Sequence, residues 1–365
     1  MERRDFIKTS AATGVLLSTN MLANCNIPNK KLKVLVLGGT SFVGPTIVES
    51  ALKNNHEVTL FNRGITNPQL FPNLRLLKGD RENGTKDYEV LSKEKWDVVI
   101  DVWPEKSELV YDATSSLINN TKHYIFISSI AVYDNFQEVG LNENSKVVSL
   151  NLSRDKWSYS EEKLAAENIV IERFPENHTI LRYGAIKGWR DPALDLMYWS
   201  IKLSRDKSII APGSGKDPLQ FIDVNDVGKF ATLAAENSFS GIFNCVGPME
   251  LLTWKGFLDS AKNHYESTTE LVWASEEFLS NNDVSSFSDL PLWAPLSEDR
   301  GFMQISNKKL IETGFQLTPV TTTLDNCIEW YKSNIDQEIN FGTEEVDIGL
   351  NLKREVELIE KIKAN

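Results

Sequence analysis

The chain is 365 residues long, with 41% hydrophobic and 25% charged residues, a mixture that suits a globular protein and excludes a collagen-like or disordered one. Lysine and arginine number 39 against 51 aspartates and glutamates, and the resulting formal charge of −12 argues against general nucleic-acid binding. Three cysteines and four scattered histidines, with no CxxC or HExxH, exclude a disulfide scaffold and leave no metal site to expect.

Residues 1–30 read as an address rather than as part of the fold. Met1-Glu2-Arg3-Arg4-Asp5-Phe6-Ile7-Lys8 precedes a run of small and moderately apolar residues from Thr9 to Ala23. That run is well short of the ~20 residues a membrane-spanning helix needs. Paired arginines followed by Phe-Ile-Lys and a mild apolar stretch resemble a twin-arginine export signal, which implies the twin-arginine translocase as a partner and a periplasmic location. Leu22-Ala23-Asn24-Cys25 faintly resembles a lipobox, although Asn24 stands where a small residue is usual. Acylation of Cys25 is therefore an alternative ending to the same route, and a single acyl chain anchors only marginally. Cys245 and Cys327 read as buried, unpaired thiols.

The body alternates strands and helices. Leu32–Leu37 is a short apolar run ending at Gly38-Gly39, and a helical pattern follows from Gly44 to Lys53. Glu57–Phe61, Leu74–Lys78, Val98–Val102, Tyr124–Ile127 and Thr179–Tyr183 are further β-rich runs, with helical stretches at Ser107–Ile118 and Ser158–Glu172. Such alternation predicts an α/β fold, a Rossmann-like doubly wound parallel sheet over residues 31–185. Residues 186–333 read mainly as a smaller α/β C-terminal lobe, opening on a Trp-rich helix at Leu194–Leu203. The tail, 334–365, ends in a charged amphipathic helix, Lys353–Lys363, expected to pack across the body.

Gly38-Gly39-Thr40-Ser41-Phe42-Val43-Gly44 places a glycine-rich turn between the first strand and the first helix. Such a turn offers backbone N–H groups and a helix N-terminus to a pyrophosphate. Gly38 suits the tight turn and Gly44 a close helix–strand approach; Ser41 replaces the middle glycine, so its Cβ narrows the approach while its hydroxyl can bond a phosphate oxygen. The second strand runs into Phe61-Asn62-Arg63-Gly64, with no carboxylate to hold a ribose 2′-hydroxyl. Arg63 instead suits a 2′-phosphate, so NADP is the expected cofactor and NAD the alternative.

Phe126-Ile127-Ser128-Ser129-Ile130-Ala131-Val132-Tyr133 and Tyr159-Ser160-Glu161-Glu162-Lys163 follow in order. With the glycine turn, these segments resemble the extended short-chain dehydrogenase/reductase superfamily, the NAD-dependent epimerase/dehydratases. The resemblance implies Ser129, Tyr159 and Lys163 as the catalytic set and Lys163 as a contact of the cofactor ribose. Asp80, in Gly79-Asp80-Arg81, resembles that family's adenine contact. The spacing has a chemical rationale, since helix positions i and i+4 share a face. An ammonium at Lys163 then sits near the Tyr159 phenol and is expected to lower its pKa, fitting it for proton transfer.

Leu181-Arg182-Tyr183-Gly184 resembles the family's Leu-Arg-Pro segment with Tyr183 in place of proline. Gln220-Phe221-Ile222-Asp223-Val224-Asn225-Asp226 and Phe243-Asn244 resemble later motifs, so the resemblance runs from about Lys33 to Trp330. Gly-Gly-Thr-x-Phe-x-Gly with Phe-Asn-Arg-Gly is similar to an atypical branch that also resembles chloroplast stem-loop RNA-binding proteins. The expectation is an exported NAD(P)-dependent oxidoreductase or epimerase acting on a carbohydrate-like alcohol or ketone. Its small-molecule substrate would be a free sugar or glycoside, because nucleotide sugars are cytosolic. The alternative is a non-catalytic RNA- or ligand-binding protein on the same fold. Trp189, Tyr198, Trp199, Trp254 and Trp293 are either sugar-stacking surfaces or core.

Overall fold

A seven-stranded, wholly parallel sheet organises the molecule. The computed structural model describes residues 30–102, 105–151, 153, 156–297, 299–335 and 338–364; the twin-arginine segment and Cys25 lie outside them. The strands are β1 (Lys33–Leu37), β2 (Glu57–Asn62), β3 (Arg75–Lys78), β4 (Trp96–Asp101), β5 (Thr121–Ser129), β6 (His178–Tyr183) and β7 (Gly241–Cys245). Their spatial order is β7-β6-β5-β4-β1-β2-β3. This is a Rossmann-like doubly wound arrangement, with the strand order reversing between β1 and β4, where ligands bind in such sheets.

The central strands are apolar almost throughout because both of their faces are covered. Val34, Val36, Val98 and Ile100 pack on one side with helix α1 (Val43–Lys53). Leu35, Leu37, Val99 and Phe126 pack on the other with α2 (Ser107–Leu117) and α3 (Tyr159–Arg173). α4 (Asp195–Arg205) then leaves the sheet, but α5 (Val224–Asn237) returns to lie on α1, and β7 pairs with β6. Residues 224–245, which a reading along the chain places in the lobe, thus complete the nucleotide-binding layer. The crossing of α1 and α5 is tight: a Cβ on Gly228 would stand 2.1 Å from the Thr46 carbonyl oxygen.

The lobe gathers α4, α6 (Trp254–His264), α7 (Val320–Asn334) and α8 (Leu352–Ala364) around its own apolar core. Tail helix α8 docks through Leu358 and Ile359 and through Glu355, whose carboxylate pairs with buried Lys202 and accepts from the Ile210 N–H at 2.9 Å. Cys245 and Cys327 are buried and unpaired. Tyr198, Trp199, Trp254 and Trp293 are fully buried, so these four serve the core and do not form sugar-stacking surfaces. Tyr198 meets Trp199 edge-to-face, and Trp199 and Trp254 are centred 4.9 Å apart in a tilted contact. Trp189 alone of the five keeps a partly exposed face.

The turn from β1 into α1 allows almost no added volume. A Cβ at Gly44 would lie 2.7 Å from both Cα and C of Gly39, backbone atoms that cannot swing aside. Gly44→Ala should therefore push α1 off the sheet and lower stability by about 1–3 kcal/mol, the usual cost of overpacking. Urea denaturation measures the loss; an unchanged midpoint would show that the turn relaxes freely.

Candidate active site

Gly38 and Gly39 leave β1 with φ of +109° and +96°, a backbone region that side chains rarely adopt. Asn62, at the end of β2, fixes this turn: its side-chain N–H donates to the Gly38 carbonyl at 2.8 Å, and its Oδ1 accepts from the Gly64 N–H at 2.8 Å. Phe42 occupies the position before α1, at φ 31°, and supplies no side-chain hydrogen bond to the helix; the first turn of α1 also carries no acidic residue. The Gly44 N–H donates to the Ser41 carbonyl at 2.8 Å, and the positive end of the helix dipole is left for an anion. Ser41 is exposed and lies outside the positive-φ residues, so a side chain is accommodated where a glycine was expected.

A cleft of about 700 Å³ lies at the C-terminal ends of the strands and is lined by the glycine turn, the β2 and β3 ends, and the starts of α2 and α3. That size suits a nucleotide-sized ligand. Gly38, Thr40, Ser41, Phe42, Val43, Asn62, Arg63, Asp80, Ser129, Tyr159 and Lys163 all line it, while Gly44 lies buried beneath the turn. The uncapped helix N-terminus, the positive-φ glycines and the flanking cations together fit a dinucleotide. Arg63 is half exposed and reaches to 3.9 Å from Asp80, whose own carboxylate accepts from the Glu82 N–H at 3.1 Å.

Tyr159 opens α3, where Ser158 and Glu161 form a reciprocal capping box that fixes the helix start. Its hydroxyl shares a hydrogen bond with Ser129, the last residue of β5. Ser129 Oγ also accepts from the Ala131 N–H at 3.1 Å, which holds the serine in place. Lys163 lies one turn further along α3 and is buried; its Nζ donates to the Ile127 carbonyl at 2.9 Å and stands 5.9 Å from the Tyr159 ring centre.

The electrostatics correct one expectation. Tyr159 is 46% exposed, and partial desolvation of its phenol, opposed by the Ser129 hydrogen bond, raises its pKa rather than lowering it. Lys163 is itself discharged by desolvation, with its pKa brought down to about 7 despite the attraction of Asp101 and Glu167. Arg81 pushes it down further. An ammonium that is half neutral and turned toward a carbonyl has little field to spend on the phenol.

Three clusters of polar side chains in and around the cleft escaped the sequence reading. Arg81 makes a two-pronged pair with Asp101, at 2.6 and 2.9 Å, and Tyr124 donates to the same carboxylate at 2.7 Å. Glu167 accepts from Ser128 at 2.5 Å and from Arg182 at 2.7 and 3.0 Å. Glu162 caps the start of α2 from outside, accepting from the Ser107 N–H and hydroxyl at 2.7 and 2.8 Å. A signal existed for Glu167, which continues the Tyr159–Lys163 spacing by four residues and so shares their helix face. Tyr183, the proline replacement, is buried along the cleft wall, with its hydroxyl 3.3 Å from the Val227 carbonyl. The later motif residues serve the frame: Gln220 exchanges hydrogen bonds of 3.0 Å with Ile305, Asp223 caps α5, and Asn244 accepts from Tyr133 at 2.7 Å.

With the fold and cleft in view, the sequence matches the NAD dependent epimerase/dehydratase family over residues 34–245. The chain belongs to that family. Solved structures similar to it include UDP-glucuronic acid 4-epimerase from Bacillus cereus in complex with NAD, at 16% identity and TM-score 0.59, covering 84% of this chain and 99% of that one. UDP-glucose 4-epimerase with UDP-glucose from Thermotoga maritima is similar at 16% identity and TM-score 0.61, covering 83% and 99%. At such identity these structures share the fold. The chloroplast stem-loop binding protein of 41 kDa b from Arabidopsis thaliana is 29% identical over 238 residues, 59% of this chain. The chain spans 58% of that relative's length.

As an epimerase/dehydratase family member, the protein keeps its Tyr-x-x-x-Lys lysine at a cost in stability. Lys163 titrates near 7 when folded and near 10.4 when unfolded, so between these values the unfolded chain binds more protons and stability rises with pH. Lys163→Met removes that rise. Its stability relative to the parent should be most favourable at pH 6 and should decline steadily toward pH 9. Urea unfolding of both proteins at pH 6, 7.5 and 9 tests this; parallel curves would contradict a buried, discharged lysine.

Proposed function

We propose that the protein is an NAD(P)-dependent oxidoreductase or epimerase of the short-chain dehydrogenase type, acting on a carbohydrate-like alcohol or ketone. The reading rests on the hydrogen-bonded Ser129–Tyr159 pair, with Lys163 on the same helix, in the same cleft as the uncapped glycine turn. In this reading the start of α1 receives the pyrophosphate, with Gly38, Thr40, Ser41, Phe42 and Val43 around it. Asp80 faces the adenine side, Arg63 takes the 2′-phosphate of NADP, and Lys163 meets the nicotinamide ribose. NAD is the alternative cofactor.

When bound, the nicotinamide takes up or returns a hydride at the substrate carbinol carbon. Tyr159 receives the hydroxyl proton as the alcohol becomes a carbonyl, and gives it back on reduction. Ser129 donates a hydrogen bond to the same substrate oxygen, holding it beside the phenol. Loss of the hydroxyl proton to Tyr159 and of a hydride from the carbinol carbon would leave a ketone. Return to the opposite face gives an epimer with no net oxidation, and departure of the ketone gives a dehydrogenase.

The export motif Arg3-Arg4-Asp5-Phe6-Ile7-Lys8 supports a periplasmic site of action, with acylation of Cys25 as a variant of it. Twin-arginine export carries folded proteins, so the cofactor can travel bound. A free sugar or glycoside is then the substrate class. A nucleic-acid-binding role, as in the plant relative's name, is opposed by the charge of −12.

Tyr159→Phe removes one hydroxyl and should leave folding and cofactor affinity intact while turnover falls about 10²–10⁴-fold, the usual worth of a placed proton-transfer group. A screen of free sugars and glycosides followed by nicotinamide absorbance, with both proteins in parallel, measures it; equal rates would remove Tyr159 from the chemistry. For export, Arg3→Lys combined with Arg4→Lys should retain the protein in the cytoplasm. Fractionation decides the matter, and normal periplasmic recovery would sink the signal.

A further inference from the structure

Lys78 is the last residue of edge strand β3 and sits in register beside Asn62, where the chain leaves β2 for Arg63 and Gly64. Gly64 has φ +71°, and the space its Cβ would take is closed by the Lys78 side chain, with Cε at 3.2 Å and Nζ at 3.7 Å. The Lys78 ammonium therefore lies against the Gly64 turn, which lines the cleft. It is exposed and forms no hydrogen bond or ion pair among the described residues.

Charge balance gives this position meaning. Arg63 is already faced by Asp80 at 3.9 Å, so the pair contributes little net charge where a 2′-phosphate would arrive. Glu82 and Glu105 also line the cleft. A phosphate monoester carries nearly two negative charges at neutral pH, and one half-neutralised guanidinium is a poor match for it. Lys78 restores a net positive charge on the far side of the same turn.

We propose that Lys78 is the second cation of a 2′-phosphate clamp, with Arg63 and Lys78 bracketing Gly64. It is a specificity-determining residue for NADP over NAD, and the proposal rests on the NADP reading of the cleft. Gly64 is the residue that lets the two cations approach, since a side chain there would displace the lysine stem.

The probes are 2′,5′-ADP and ADP, titrated by calorimetry into the full chain and into Lys78→Ala, Lys78→Arg and Arg63→Ala. The parent should prefer 2′,5′-ADP. Lys78→Ala should lose about tenfold or more in 2′,5′-ADP affinity, the worth of one charged hydrogen bond, with ADP unchanged within about twofold. Lys78→Arg should retain most of the preference, and Arg63→Ala should lose it. If Lys78→Ala keeps the parent's preference while Arg63→Ala loses it, the NADP reading stands and Lys78 is only an edge-strand lysine that discourages strand pairing. A parent that binds both probes equally would overturn the NADP reading and the clamp together.

Discussion

Everything at the site depends on how closely helix α1 can approach strand β1. The backbones meet at Gly39 and Gly44, where there is no room for a Cβ, and the same helix is met from outside by α5 at Gly228. These contacts pin the start of α1 beyond the C-terminal end of interior strand β1 without any side-chain cap. Had a Ser or Asp stood in place of Phe42, its side chain would have satisfied the N–H groups that the turn presents to the cleft. The unsatisfied helix start and the glycine contacts are therefore one device, in which close packing supplies the rigidity a cap would otherwise give.

Behind the cleft the protein buries an uncommon amount of charge. Arg182 with Glu167 is sealed from solvent, while Arg81 lines the cleft and reaches back to fully buried Asp101; tyrosine and serine hydroxyls add hydrogen bonds to both pairs. Buried pairs of this kind add little net stability but are costly to break, so they fix geometry more than they deepen the fold. Asp101 ends β4 and Glu167 faces inward from α3, and Lys163 lies within the field of both. The lysine is thus buried, and desolvation outweighs the attraction of both carboxylates and brings its pKa down to about 7.

The layered fold was legible because its signals are local and repeated. Apolar runs with no polar alternation, punctuated by Gly38-Gly39 and Asn54-Asn55, mark strands covered on both faces, and their order fixes a parallel sheet. The return of β7 to the sheet was not legible, since Gly241–Cys245 looks like any other short strand and only long-range pairing with β6 assigns it. At the site, residues tied to a motif were found, and those defined only by partners were missed. Arg81 and Glu162 look like solvated charges in sequence, and only their partners Asp101 and Ser107 reveal them. The phenol's pKa was misjudged for a related reason. Helical spacing predicts proximity to Lys163, but it carries no information about how strongly burial discharges the lysine.

The lobe narrows what recognition of a substrate can rest on. With Tyr198, Trp199, Trp254 and Trp293 committed to the core, the aromatic surface left over is Trp189, and it is engaged on two sides. Its indole N–H donates to Asn225 Oδ1 at 2.9 Å, and the Arg190 guanidinium lies 4.1 Å from its ring. Arg190 sits at φ 62° and is drawn to within 3.6 Å of Glu49 on α1, so the stacked pair is anchored to the same helix that begins at the glycine turn. A guanidinium over an indole can still donate N–H groups to other partners. Neither Trp189 nor Arg190 is among the residues lining the cleft, so in the proposed reading the Ser129 and Tyr159 hydroxyls would carry the polar contacts to a hydroxyl-rich ligand. A ligand that needed a broad aromatic floor would find none among these residues.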